Sequence, residues 1–325
     1  MGAEKCYGNS PGRGFFNCGT GPAEHELTAY IFKKEYVMTE VLCSIKPPVV
    51  IAAFGTTSHA RNTYDFIDQR FQQRFPGHEI RWAFTSRMVK GHVMKHSRIN
   101  DMHSPGEVLE TLYAEGHSWA VVQSLHLISG HEFYRLVEEV GSLSIRTSIG
   151  LPLLTSYRDY CRTARAMNLN DRPFSREEAV VLVGHGTDHP AWTAYFALKS
   201  ILRQSCRPKI FVGMIEGKPS RSRVVGAVFR SGIKKVRLIP FTLVAGVHFQ
   251  EDIAGDEDSW KAAFESIGVT VEVETRGIGY RETIIDIFAH HIQEALSVIP
   301  VSGDACIRFG HYRGLGGIGR AKLSS

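Results

Sequence analysis

Three segments of this 325-residue chain recur, in the same order, further along it, and a chain that repeats one unit folds as two copies of one architecture. Val49-Val50-Ile51-Ala52-Ala53-Phe54-Gly55-Thr56-Thr57 and Val181-Leu182-Val183-Gly184-His185-Gly186-Thr187 share their ending, with Phe54 opposite His185 at an offset of 131. Residues 79–86 (EIRWAFTS) lie opposite residues 209–216 (KIFVGMIE) at the nearly equal offset of 130. The plainest match sets Leu127-Ile128-Ser129-Gly130-His131-Glu132-Phe133 against Leu243-Val244-Ala245-Gly246-Val247-His248-Phe249.

Within each copy, short apolar runs alternate with helical spacing. Pro47-Pro48 introduces the continuous run Val49–Phe54, the pattern of a strand buried on both faces. Tyr64, Ile67 and Phe71 then recur at helical intervals over 59–74, until Pro76-Gly77 stops the helix. Further strand-like runs occupy 79–84, 119–125, 179–183, 208–214 and 236–243, with helical stretches such as 191–203 and 282–296 between them. This order predicts an α/β protein of two similar domains, each a central parallel sheet flanked by helices. The boundaries read as an N-terminal α/β domain over 47–165, a connection over 166–178 and a C-terminal α/β domain over 179–300 that carries the metal site. Residues 1–46, glycine-rich at their start, form an extension expected to be disordered or peripheral, with Met38 as an alternative start. Residues 301–325 form a flexible glycine-rich tail.

Composition removes several function classes. The net charge of +5 divides into zero for residues 1–46, +3 for the tail and +2 for the body, so the body lacks the basic excess of a nucleic-acid binder. Six cysteines without a C-x-x-C pair form neither a disulfide framework nor a thiolate zinc site. No apolar stretch is long enough for a membrane span and no leader is evident, so the expected location is the cytoplasm. Fifteen histidines remain, and imidazole is the commonest transition-metal ligand.

In open α/β sheets, ligands bind at the carboxyl ends of the strands. There the copies diverge: the second carries His185, Glu216 and His248 where the first has Phe54, Ser86 and Glu132. A lone histidine after a buried strand is more often a hydrogen-bonded structural residue than a ligand. Two imidazoles and a carboxylate at equivalent ends of one copy point instead to a single centre for a borderline divalent ion such as Co²⁺, Ni²⁺, Fe²⁺ or Zn²⁺.

Six blocks together resemble the anaerobic sirohydrochlorin cobaltochelatases, the CbiK-type class II chelatases. They are Phe54-Gly55-Thr56-Thr57, Ala83-Phe84-Thr85-Ser86-Arg87-Met88, Val122-Gln123-Ser124-Leu125-His126, Gly184-His185-Gly186-Thr187-Asp188-His189-Pro190, the run from Pro240 to His248, and Ala254-Gly255-Asp256-Glu257-Asp258-Ser259-Trp260. The resemblance covers about residues 47–300. It implies a ferrochelatase-like fold and ATP-independent insertion of Co²⁺, the substrate metal, into sirohydrochlorin on the route to cobalamin. By the same resemblance His185 and His248 match the metal-binding and catalytic histidines, with Glu216 as their acidic partner. Val247 and Phe249 depart from the more polar residues expected beside that histidine. Some members bind haem through a histidine of the N-terminal domain, for which His92 and His96, four residues apart, are the candidates here.

Sirohydrochlorin carries eight carboxylates, so donors at the strand ends are candidate substrate contacts: Thr56, Thr57, Arg87, Ser124 and His126. Gly314–Gly319 matches G-x-G-x-x-G but leaves six residues for the unit that should follow. Gly213–Ser220 is one residue short of a P-loop, with Pro219 where Ser or Thr belongs. Neither suggests ATP. The expected partners are sirohydrochlorin and a divalent metal, with no nucleic acid or membrane, in a homo-oligomer. Ferro- or nickel-chelatase activity and a non-catalytic metal or tetrapyrrole carrier are the alternatives.

Overall fold

The computed structural model describes residues 46–55, 62–86, 103–246 and 249–300. Four parallel strands, β1 (Val49–Ala53), β2 (Ile80–Phe84), β3 (Trp119–Ser124) and β4 (Arg146–Gly150), form a sheet in the order β2-β1-β3-β4. A second sheet of β5 (Glu178–Gly184), β6 (Lys209–Met214), β7 (Lys235–Pro240) and β8 (Thr270–Val273) has the equivalent order β6-β5-β7-β8. Register makes the duplication exact at backbone level. Val49 pairs with Ile80 and Val121, while Val180 pairs with Ile210 and Arg237. The offsets are 131, 130 and 116, and the last is also the separation of Leu127 from Leu243.

The helices are α1 (Asn62–Arg74), α2 (Pro105–Ala114), α3 (His131–Gly141), α4 (Tyr157–Met167), α5 (Thr193–Ser205), α6 (Arg221–Arg230), α7 (Trp260–Glu265) and α8 (Glu282–Ser297). Local chemistry fixes several starts. Ser104 and Glu107 form a reciprocal capping box ahead of α2, with Pro105 at the first helical position; Ser156 and Asp159 do the same for α4.

Alternate residues of the buried strands serve different cores. Val49, Ile51 and Ala53 share a central core with Val180 and Leu182, to which Phe71, Tyr195, Leu198, Ile284 and Phe288 of α1, α5 and α8 contribute. Val50 and Ala52 face an outer core with Leu109 and Leu136; Ala179, Val181 and Val183 face another with Val228, Trp260 and Phe264. Each such aromatic or large aliphatic side chain contributes about 1.5–3 kcal/mol on burial.

α8 follows the second sheet in the chain but packs against β3 and β4 of the first, and against α4. Its contacts surround it: Ile284, Ile285, Ile287, Phe288, Ile292 and Ala295 are all buried. His291 lies among them, with Nδ1 2.9 Å from the Leu151 carbonyl and Nε2 3.3 Å from the buried Asp159 carboxylate. Arg70 and Arg74 of α1 hold Glu282 and Asp286 at the other side of the helix. Among the described residues, no helix is long and apolar enough to cross a membrane.

Candidate active site

Both sheets end their central strands in the same backbone device. After β1, Ser86 N–H donates to the Phe54 carbonyl at 3.0 Å; after β5, Glu216 N–H donates to the His185 carbonyl at 2.8 Å. The next residue in each case is a glycine in the left-handed region, Gly55 at φ 102° and Gly186 at φ 96°. A Cβ on Gly186 would lie 1.7 Å from the Glu216 carbonyl oxygen, so the close approach of these two chain segments requires glycine. Beneath each turn sits a buried tyrosine from the first residues of the following helix, Tyr64 under Gly55 and Tyr195 under Gly186, each receiving a backbone hydrogen bond from its glycine. Burial raises both phenols, Tyr195 to about 12 and Tyr64 further still.

The device sets His185 and Glu216 on adjacent strand ends, and both side chains are exposed. The His185 Nδ1 lies 3.4 Å from the Gly186 carbonyl. In the tautomer this contact suits, with the proton on Nδ1, Nε2 carries the lone pair that a metal ligand or proton acceptor needs. His248 lies outside the described residues, as do Thr56, Thr57 and Arg87, and His92 and His96 with them. Phe249, the departure beside His248, is buried in the outer core of the second half with Trp260, so packing accounts for its apolar character.

Ser124 and His126 end β3, on the first sheet. Ser124 is fully buried, and its Oγ accepts the His126 backbone N–H at 3.3 Å and lies 2.8 Å from His126 Nδ1. Burial pushes the imidazole down to about 4, so His126 is neutral near pH 7. Its Nε2 and the Oε1 of neighbouring Gln123 are buried without a hydrogen-bond partner among the described residues. The second half has Ile239, Pro240 and Thr242 at the positions of Gln123, Ser124 and His126.

The carboxyl ends of the two sheets face one another. Gly279 sits between the Leu243 carbonyl, beyond β7, and the Thr63 methyl at the start of α1, where a Cβ would come within 2.7 Å of either. On another side, His131 Nε2 at the start of α3 lies 2.9 Å from Asp188 Oδ1 beyond β5, and holds that carboxyl below its usual range. The His131 and His189 rings meet edge to face at 4.9 Å, and Tyr134 lies 5.4 Å from His189. Sequence reading passed over this cluster. His131 lies in one repeated segment and Asp188 and His189 in a separate block, and no spacing rule joins residues 57 positions apart across two sheets.

Three residues elsewhere bring metal-ligand atoms together, Glu79, Glu115 and His117. They lie towards the amino ends of the first sheet's strands, and Arg81 bridges both carboxylates at 2.7 and 2.5 Å. That arginine already occupies an oxygen of each carboxylate and cancels one of their two charges, which leaves the strand-end pair as the better metal candidate.

Comparison with known proteins agrees with the geometry. The chain is 34% identical over 263 residues to the sirohydrochlorin cobaltochelatase CbiKC of Nitratidesulfovibrio vulgaris, covering 78% of this chain and 92% of that protein. It is 30% identical over 260 residues to the sirohydrochlorin cobaltochelatase of Salmonella typhimurium, covering 78% and 98%. In fold it is similar to SirB from Bacillus subtilis, solved with Fe³⁺, at a TM-score of 0.56 and 14% identity, over 78% of this chain and 96% of that one. With residues 48–297 matching the cobalt chelatase (CbiK) family as well, the chain belongs to that family.

Proposed function

We propose that this protein is a sirohydrochlorin cobaltochelatase that inserts Co²⁺ into its substrate without a nucleotide. The observation that carries the reading is the pinning of His185 and Glu216 on adjacent ends of β5 and β6, where the first half has Phe54 and Ser86. Insertion exchanges two pyrrole N–H protons for one divalent ion, so charge balances and no redox step or phosphate transfer is needed. His185 and His248 bind the incoming Co²⁺ in place of water, and as each imidazole gives up the ion its freed lone pair can accept a pyrrole proton; Glu216 orients an imidazole or takes a proton onward. Three ligands without thiolate hold the ion loosely enough to release it.

Thr56, Thr57 and Arg87 of the first half offer donors to the carboxylates of the macrocycle. Ser124, buried, acts through His126, whose neutral ring provides a further polar contact. The expected assembly is a cytoplasmic homo-oligomer, which light scattering on the purified protein tests. The activity is tested by mixing the full chain with sirohydrochlorin and Co²⁺, Fe²⁺ or Ni²⁺ in the absence of nucleotide. Many turnovers with Co²⁺ support the reading. A single equivalent of bound ligand would mark a carrier, and turnover with Fe²⁺ or Ni²⁺ alone would mark a different chelatase.

A further inference from the structure

We infer that Phe54 is a substrate-positioning residue whose ring lies against the face of the tetrapyrrole. This rests on sirohydrochlorin being the substrate. The first half places Phe54 where the second places His185: each carbonyl accepts the N–H that follows the neighbouring strand, and each precedes the left-handed glycine. The order β2-β1-β3 puts the switch in strand order beside β1, the crevice where open α/β sheets take their ligands.

The aromatic residues around Phe54 are buried. Tyr64, Trp82 and Phe84 are at most 8% exposed, and their rings pack against one another at centroid distances of 5.3–6.2 Å. Phe54 takes no part in that cluster and stands 52% exposed. A phenylalanine turned out of an aromatic core at a ligand crevice offers its ring to a flat, apolar surface that binds there. The macrocycle of sirohydrochlorin is such a surface, apolar on its faces and charged at its rim.

The position also explains why its residue is not a ligand. With Phe54 and Ser86 in the first half against His185 and Glu216 in the second, metal approaches from one side only and the other side holds the ring. A third imidazole, at position 54, would add a ligand to the centre, and a more saturated site retains its ion.

The test separates ring binding from metal binding. Sirohydrochlorin without metal is titrated by its visible absorbance into wild type, Phe54→Ala and Phe54→Tyr, and steady-state insertion is measured with each substrate varied in turn. Phe54→Ala is expected to weaken sirohydrochlorin binding and raise its KM about tenfold, with the KM for Co²⁺ unchanged within about twofold. Phe54→Tyr restores both to near wild type. If Phe54→Ala does not fold, Phe54→Leu carries the same prediction at about threefold. An unchanged sirohydrochlorin affinity in the alanine or leucine variant overturns the inference, and so does an equal rise in the KM for Co²⁺. A tyrosine variant as weak as alanine overturns it too. Wild type that bound no sirohydrochlorin would instead overturn the activity on which the inference rests.

Discussion

At the end of β1 the chain carries Phe54 and Gly55 over the buried Tyr64; at the end of β5 it carries His185 and Gly186 over Tyr195. The glycine and tyrosine, together with the strand register, are the same in both halves, so they belong to the construction of the turn. The residue before the glycine and the one ending the neighbouring strand differ, aromatic and hydroxyl in one half, imidazole and carboxylate in the other. Function in this fold therefore sits in a few side chains mounted on a repeated backbone. The division of labour we propose follows this contrast: metal and protons to the second half, the macrocycle to the first.

The largest effect comes from the shared device at its tightest point. Gly186→Ala puts a Cβ against the Glu216 carbonyl in a left-handed conformation, and is expected to cost about 3 kcal/mol in denaturant unfolding. A cost below about 1 kcal/mol would mean the two strand ends are not pinned as described. Next is the contrast at the neighbouring strands. Glu216→Gln should lower kcat about thirtyfold, whereas Ser86→Ala at the equivalent position should stay within about twofold. Equal losses would erase the asymmetry between the halves.

How much of this was legible in the sequence depends on which interactions are local. The strands β1, β2, β3, β5, β6 and β7 announced themselves as apolar runs because all are largely buried, and the repeat offsets reproduce the sheet registers. β4 and β8 escaped because they are the less buried of the four edge strands. Arg146 and Thr270 are exposed, Thr147, Ile149 and all of Val271–Val273 only half-buried, and neither strand shows a continuous apolar run. The crossing of α8 onto the first sheet, and the His291–Asp159 contact within it, depend on packing between distant segments. So does the His131–Asp188 contact. Periodicity reports what faces a core, and says nothing of which core.

Smaller effects sharpen the comparison further. His126, whose counterpart is Thr242, gives the first half a pH dependence of its own. Its folded value of about 4 lies below the ordinary 6.5, so the stability of the neutral ring is fully present above pH 6.5 and is lost as pH falls towards 4, where the unfolded chain takes up the proton first. Wild type should lose about 1.5 kcal/mol more than His126→Gln over that window, an allowance for the ring's partial exposure included. Parallel stability curves would contradict the burial of a neutral imidazole. Smallest are Tyr64→Phe and Tyr195→Phe, each removing a buried hydroxyl acceptor of a glycine N–H for about 1 kcal/mol. The two costs should match within experimental scatter; a marked inequality would show that the repeated backbone is not energetically repeated.

The division between the halves is tested most directly by calorimetric titration of Co²⁺ into wild type and His185→Ala in the absence of tetrapyrrole. His185 is exposed, so its removal leaves the fold intact while taking one ligand from the three-ligand site we propose. The account predicts one Co²⁺ per chain in wild type and an affinity at least about tenfold weaker in the variant, with sirohydrochlorin binding retained. Unchanged Co²⁺ affinity in His185→Ala would contradict it.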